Sequence, residues 1–189
     1  NRGESLVQGE GRGGDLFFIE RDSPEEILRV LKLMIEERIP QKYGLHPQAD
    51  IQVLTPMHRG IIGTDSLNEE LRPIFNPHGR QVTIGARTWF LGDRLMQTQN
   101  NYDWNVFNGD MGSLNAWHPD DQTVSIDFEG RIITRPVEEL REMIPAYAIS
   151  IHKSQGSEYP CVCIPVHTQH AIMLQRNLLY TAITRARKL

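Results

Sequence analysis

Two short apolar runs with a polar loop between them constrain this chain more than any other feature. Ala146-Tyr-Ala-Ile-Ser-Ile151 and Cys161-Val-Cys-Ile-Pro-Val166 each have the length and composition of a buried strand. Between them, His152, Lys153, Ser154 and Gln155 lead to Gly156, and Ser157, Glu158 and Tyr159 stop at Pro160. A base, a cation, hydroxyls, an amide and a carboxylate are gathered around one glycine. Open α/β sheets carry their ligand sites in loops at the ends of buried strands. On composition alone a solvated turn fits equally well, so the surrounding pattern has to decide.

The preceding chain supplies that pattern. Leu16 to Ile19 reads as a short strand, and Ser23-Pro-Glu-Glu26 as a helix start, with Ser23 capping, Pro24 in the first turn and Glu26 reaching back. Ile27, Leu31, Met34 and Ile35 continue at helical spacing up to Pro40, which should end the helix. A strand over Ile51 to Leu54 runs into Thr55-Pro-Met-His-Arg-Gly60, and Leu67, Leu71 and Phe75 predict a second helix, capped by Thr64 or Asp65 and bent or ended near Pro73. Strand, helix, strand, helix is an α/β unit with a parallel sheet. From Thr88 the rhythm changes to short strands with turns between them, among them a tight hairpin at Glu129-Gly130. A small β-barrel inserted near 86–144 accounts for this, because the α/β pattern resumes at Ala146. In the last segment Leu174, Leu178, Ala182, Ile183 and Ala186 mark the buried face of a helix, with a polar stripe of Asn177, Thr181, Thr184 and Lys188 and with Arg185 beside it.

Composition narrows the class. The chain is 39% hydrophobic and 23% charged, enough apolar content for one sizeable core, and its formal charge is −4, which argues against a strong grip on phosphates. No apolar run approaches a membrane span and no signal-peptide core opens the chain, so the reading is a cytoplasmic protein with no membrane partner. The two cysteines, Cys161 and Cys163, read as core thiols on opposite faces of one strand, and no metal site is expected. The glycine-rich, Met-less start, Asn1 to Gly14, reads as the cut end of a larger protein.

His152-Lys-Ser-Gln-Gly-Ser-Glu158 followed by Leu179-Tyr-Thr-Ala-Ile-Thr-Arg-Ala-Arg187 resembles the fifth and sixth motifs of superfamily 1 DNA helicases, in their RecD-like branch. Val53-Leu-Thr-Pro-Met57 with Arg59-Gly60, Gly63 and Leu67-Asn68 is similar to the fourth motif and the helix after it. Gly92-Asp-Arg-Leu-Met-Gln97, Asn100-Asn-Tyr102 and Phe107-Asn-Gly-Asp-Met-Gly112 are similar to an SH3-like barrel inserted in the second RecA-like domain. Ser150 stands where the family usually has threonine, and the chain stops at Leu189, before the family's final strand. The resemblance implies an α/β fold, a RecA-like parallel-sheet domain of the P-loop NTPase type without its own P-loop. It would span 1–85 and 145–189, truncated at both ends, with the SH3-like barrel over 86–144.

The sequence contains no Gly-x-x-x-x-Gly-Lys-[Ser/Thr] loop and no apolar strand ending in an acidic pair, so it cannot cradle phosphates or hold Mg²⁺ alone. The resemblance assigns both, with most of the binding of ATP and Mg²⁺, to a first RecA-like domain of the same protein. This half would supply cations from outside that cradle. Arg185 matches the family's arginine finger, against the alternative of a surface arginine paired with a carboxylate, and Arg59 is a second candidate for the phosphates. Gln155, Gly156 and Glu158 would line the nucleotide, Glu158 toward the ribose or else in an ion pair within the loop. Thr55, Ser150, His152, Lys153 and Ser154 would face single-stranded DNA. In the barrel, Asn100, Tyr102 and Trp104 form a loop suited either to stacking bases or to packing.

The implied function is the C-terminal motor portion of an ATP-dependent DNA helicase that translocates 5′ to 3′ on single strands and opens single/double-strand junctions. The alternatives are the helicase part of a conjugative relaxase, a subunit of an exonuclease complex with further subunits as partners, and, from another class, a non-catalytic nucleic-acid-binding or docking module.

Overall fold

A computed structural model describes residues 7–8, 16–85, 87–168 and 176–189. Most of the glycine-rich start, the expected boundary at Ala86 and the expected core position Leu174 lie outside these residues. The chain divides into two compact units, Asn1–Thr64 with Ser150–Leu189, and Asp65–Ile149. The boundaries read from the sequence, 86 and 144, both fall within the second unit.

In the first unit, strands β1 (Val7–Gln8) and β2 (Phe17–Phe18) pair antiparallel. Helix α1 (Pro24–Leu33) starts as its sequence dictates: the Ser23 hydroxyl accepts the Glu26 N–H at 3.2 Å, with Pro24 in the first turn and Glu25 and Glu26 at the positive end of the dipole. Pro40 does not end the helix. The backbone widens into a π turn over Met34–Arg38 and continues as α2 (Ile39–Tyr43). A proline ring crowds the carbonyl four residues back and donates nothing to it. A turn in which Ile39 N–H bonds Met34 O, five residues back, relieves that conflict and keeps Ile35 and Ile39 buried on one face. Termination waits for Gly44, left-handed at φ 65°. After the single turn α3 (Pro47–Asp50), strand β3 (Ile51–Thr55) is buried at every residue, as a central strand covered on both faces must be. Helix α4 (Thr64–Phe75) follows; Pro73 lies in its last turn, where its missing N–H costs one bond and not the helix.

The second unit continues with the hairpin β4 (Gln81–Ile84) and β5 (Arg87–Phe90). Strands β6 (Arg94–Gln97), β7 (Met111–His118), β8 (Thr123–Phe128), β9 (Arg131–Pro136) and β10 (Met143–Pro145) form an antiparallel sheet in the order β10-β6-β7-β8-β9, with a 3₁₀ turn, Val137–Glu142, before the last strand. Glu129 and Gly130 both have positive φ, 52° and 91°, the backbone a two-residue hairpin requires. A one-residue register shift between Leu114 and Ala116 bends β7 and lets the sheet curl over Leu95, Leu114, Val124, Ile126 and Met143. Arg135 is buried in this unit, its Nη2 donating to Gln97 Oε1 at 3.2 Å while Glu139 lies 3.7 Å from Nη1. Burial draws the guanidinium below its ordinary range, opposed by Glu139 and Glu142.

Strand β11 (Ala148–Ser150) begins two residues later than the apolar run, because Ala146 N–H bonds Arg94 O and Tyr147 turns into a polar cluster. Asn68 on α4 clamps the backbone of Ala148, donating to its O at 2.8 Å and accepting its N–H at 3.0 Å. A 3₁₀ turn, Ile151–Ser154, precedes β12 (Cys161–Cys163), and helix α5 spans Arg176–Ile183. The three-stranded sheet has the order β11-β3-β12, with β12 parallel to β3 and Cys161 opposite Ile51. The cysteines require a correction: residues two apart on a strand share a face. The Cys161 thiol and burial raise the Cys163 thiol well above its usual range, so the two side chains meet. Both are free.

The polar cluster joins distant parts of the second unit. Tyr147 OH donates to Asp93 Oδ1 at 2.8 Å, Asn76 Nδ2 donates to the same oxygen at 3.1 Å, and Phe90 N–H donates to Asp93 Oδ2 at 3.0 Å. Burial and the adjacent Asp93 carboxylate push the Tyr147 hydroxyl far above its ordinary value near 10. The unfolded chain releases this proton first, so above pH ~10 it binds fewer protons than the folded chain and stability falls as pH rises. Tyr147→Phe should cost about 1–3 kcal/mol at neutral pH by leaving Asp93 short of a donor. Denaturant titrations at pH 7 and pH 11 check both statements, and the variant should lose less stability than the wild type between them.

Candidate nucleotide and DNA site

The loop after β3 is held from within. Thr55 Oγ1 donates to Ile62 O at 2.8 Å, Thr64 N–H bonds Met57 O at 3.0 Å, and Gly63 N–H bonds Gly60 O at 3.0 Å. A Cβ at Gly63 would lie 2.4 Å from Arg59 O, so the close approach itself demands glycine. Arg59 stands exposed on this loop, beside a cleft of about 380 Å³ whose other wall includes Pro24 and Glu25 at the start of α1. The side chain of Thr55, expected to face DNA, is fully buried with its hydroxyl engaged by Ile62. It shapes the Arg59 loop.

The polar loop between the apolar runs folds as two small turns. Ser154 is fully buried, its Oγ donating to Ile151 O at 2.7 Å, so this hydroxyl too braces backbone and is not offered to a strand. Ser150 is nearly buried at the end of β11, whereas His152 is exposed and Lys153 half-exposed. Ser157 N–H bonds Ser154 O at 3.1 Å, and Gly156 takes φ 86° with open space around its α-carbon. Conformation, not crowding, selects glycine there.

The end of α5 is stitched to this loop. Tyr159 N–H bonds Arg185 O and Arg187 N–H bonds Tyr159 O, both at 2.8 Å, forming a parallel bridge between Tyr159 and Ala186. Arg187 Nε donates to Glu158 Oε2 at 2.8 Å, with both side chains more than half exposed. Of the two roles open to Glu158, the structure contains the ion pair. Arg185 does not lie on the helix as expected but two residues beyond Ile183, in a turn. Its Nε donates to Thr181 O at 3.2 Å, Nη1 to Ser157 O at 3.2 Å and Nη2 to Thr184 Oγ1 at 3.4 Å. Gln155, Gly156, Glu158 and Arg185 therefore belong to one stitched segment, and Arg59 stands on a loop of its own.

In the barrel, the loop from β6 to β7 is organised by its own side chains. Asn101 pairs with Val106, and its Nδ2 donates to Glu139 and Glu142 at 3.1 Å each. Burial works against the Glu142 carboxylate, but donors from Asn101, Gln97 and Gln99 outweigh it and lower the pKa. Asn100 Oδ1 accepts the Asn108 N–H at 3.0 Å, and Arg131 donates to Trp104 O and Asn105 O at 3.1 and 2.8 Å. Trp104 packs on the barrel core, so the packing role falls to it. Tyr102 is 77% exposed and meets Phe107 edge-on, ring centroids 6.1 Å apart. Phe107, read from the sequence as part of the barrel motif, was not named among the candidate contacts. The second unit, residues 65–149, carries seven arginines and no lysine against thirteen aspartates and glutamates, so its loop offers rings and amides and little attraction for phosphate.

Residues 67–128 match a family described as the ATP-dependent RecD-like DNA helicase SH3 domain, and residues 145–189 match the UvrD-like helicase C-terminal domain. The ATP-dependent RecD2 DNA helicase of Deinococcus radiodurans is 39% identical over 137 residues, 72% of this chain and 19% of that protein. The chain belongs to the RecD-like superfamily 1 helicases. The RecBCD enzyme subunit RecD of Buchnera aphidicola is 30% identical over 190 residues, 93% of this chain and 31% of the relative. The chain thus spans about a fifth to a third of the RecD-like relatives it matches. Among solved structures, the Bacteroides Pif1 helicase in complex with ADP-AlF3 and ssDNA superposes over 90% of this chain and 49% of its own, with a TM-score of 0.51 at 17% identity. That likeness, with the SH3-domain match, establishes the fold, a RecA-like α/β domain with an SH3 insertion.

Thr55→Val keeps the shape of the side chain and removes the hydroxyl that Ile62 O depends on. It should cost about 1–3 kcal/mol, and Thr55→Ser should recover most of that. Denaturant unfolding of the three proteins reads the difference.

Proposed function

We propose that this chain is the second RecA-like motor domain of an ATP-dependent RecD-like DNA helicase, supplying half of a nucleotide site and part of the grip on a single strand. The observation that carries the reading is Arg185, a permanently charged fork fixed to the Gly156 to Glu158 loop by its own backbone and guanidinium. Phosphoryl transfer needs cations placed from outside the phosphate cradle, and a planar fork suits a γ-phosphoryl group better than a point charge. Arg59 is the second such cation, on a loop whose internal hydrogen bonds keep it at the surface. Gln155 and Gly156 line the nucleotide, and Glu158, paired with Arg187, shapes the loop beside them. The Mg²⁺ that accompanies ATP would be held by the first RecA-like domain, the partner this half-site calls for.

His152 and Lys153 contact single-stranded DNA, Ser150 supports them at the end of β11, and Thr55 and Ser154 brace the loops behind them. In the barrel Asn100 and Tyr102 meet bases rather than phosphates, as the acidic balance of that unit favours. Translocation runs 5′ to 3′ on the single strand, toward single/double-strand junctions. Relatives named as subunits of the RecBCD enzyme make exonuclease subunits a further class of partner. A pure docking module is disfavoured because it gives Arg185 and the stitched loop no task. No helix among the described residues is long and apolar enough to cross a membrane.

In the full-length protein, Arg185→Ala should lower kcat by roughly 10³ or more and leave ATP affinity within a few-fold, and lysine should rescue poorly. Steady-state ATPase with nucleotide-binding measurements tests this, and an alanine variant of near-normal kcat would remove Arg185 from the site. On the DNA side, Lys153→Ala should reduce the slope of log affinity against log salt by up to about one, whereas His152→Ala should weaken binding with little change of slope. Single-strand titrations at several salt concentrations separate the two.

A further inference from the structure

Strand β9 is an open edge. The sheet runs β10-β6-β7-β8-β9, and among the described residues no further strand lies beyond β9. The two-residue turn at Glu129-Gly130 makes Phe128 and Arg131 a hydrogen-bonded pair, and along an antiparallel ladder such pairs alternate with open ones. Arg131, Ile133 and Arg135 therefore bond β8 through their backbone, while Ile132 and Thr134 turn their N–H and C=O groups outward. Pro136, next in the outward series, has no N–H to offer. An incoming strand thus finds two residues to pair with. Ile132, 58% exposed, is the apolar side chain beside them.

Edges are guarded in many sheets by an outward lysine or arginine. Neither cation of β9 does this: Arg135 is buried, and Arg131 donates to Trp104 O and Asn105 O at 3.1 and 2.8 Å. The charges around the edge are acidic. Asp127, opposite Ile132, and Glu129 in the hairpin stand at one end. At the other are Glu138 and the turn carrying Asp120 and Asp121, drawn close where Val137 N–H bonds Gln122 O at 3.0 Å. We propose that the β9 edge is a docking site for a basic, extended segment of another protein, which adds antiparallel to β9 with an apolar side chain beside Ile132 and lysines or arginines toward the acids at both ends. Main-chain bonds supply affinity in such an addition, and alternate side chains supply specificity. A second copy of this chain is disfavoured, because residues 65–149 carry thirteen acids against seven arginines and no lysine, and like charges would meet. The same balance repels a nucleic-acid backbone. Neither Arg185 nor a DNA contact enters into this docking.

Hydrogen exchange read by mass spectrometry on the full-length helicase tests it, with the peptide Lys-Val-Lys-Val-Lys-Val as probe and the equally charged Lys-Val-Lys-Pro-Lys-Val as control. In the free protein the amides of Ile132 and Thr134 should exchange fast, and the probe should slow both by roughly tenfold or more, the scale of one net hydrogen bond each. Binding should weaken as salt rises, and the control, whose proline interrupts the ladder, should bind roughly tenfold more weakly. Thr134→Pro removes an outward N–H without touching the β8 ladder, and Ile132→Lys adds the missing guard charge. Each should weaken the probe roughly tenfold and leave ATPase activity unchanged, and Ile132→Lys serves if the proline variant folds poorly. Slow exchange of both amides in the free protein would show the edge already covered and overturn the proposal. So would their protection by self-association or by single-stranded DNA, failure of the probe to bind, or equal binding of the proline control, which would mean attraction by charge alone.

Discussion

The parallel bridge between Tyr159 and Ala186 is the constraint on which the motor half of this molecule depends. It is made of backbone, so no side-chain substitution cancels it directly, and it extends outward: Pro160 O receives the N–H groups of Lys188 and Leu189, and Val162 N–H bonds Leu189 O. Two motifs separated by a helix are thereby held as neighbouring rows of one ladder. The exposed Glu158–Arg187 pair lies over that ladder and adds little to it, since solvent screens two side chains that are both more than half exposed. What fixes the backbone of Arg185 is main chain, and its guanidinium is held by two carbonyls and a hydroxyl.

The polar side chains of these loops divide into two kinds. Thr55 and Ser154 are buried and bonded to carbonyls of their own loops. His152 and Arg59 are exposed beside them. On the proposed reading this division suits a motor that releases its strand repeatedly, because stiff loops keep a few accessible groups in position and a weak contact does not have to order its own support. The barrel follows the same rule with different chemistry, using Asn100, Asn101 and Arg131 to shape a loop from which Tyr102 projects.

The fold class was legible because its signals are local. Ser23-Pro-Glu-Glu26 caps a helix whatever surrounds it, and Glu129-Gly130 supplies the two positive φ values of a tight hairpin. The motif strings supplied the candidate residues, and the fold places Gln155 to Glu158 beside Arg185. What the sequence withheld depended on partners distant along the chain. Pro40 was read as a stop because the π turn that accommodates it is a backbone rearrangement without a residue signature. The apolar runs at Ala146 and Cys161 were read too long, because Tyr147 is claimed by Asp93, 54 residues away, and Ile164 to Val166 lie past the end of β12. The carbonyl of Ser157 could not have been found at all, since any residue provides one. Thr55 and Ser154 were misjudged for a related reason: a hydroxyl at a strand end looks the same in sequence whether it faces inward or out.

The second unit has no lysine among its residues 65–149. Its cations are arginines, several of them laid against rings or backbone, as Arg72 is over Phe90, Arg94 over Phe75 and Arg131 against the loop it supports. An amine-directed reagent therefore has four lysines to find in this chain, Lys32, Lys42, Lys153 and Lys188, all of them in the first unit. A fluorophore or crosslinker delivered by that chemistry would report on the motor domain alone. One of its targets is Lys153, on the turn assigned to DNA, so the act of labelling would itself perturb what it was meant to observe. The barrel has to be reached by other means, such as a single cysteine placed at the exposed Tyr102 position in a background where Cys161 is buried and the half-buried Cys163 is replaced by serine.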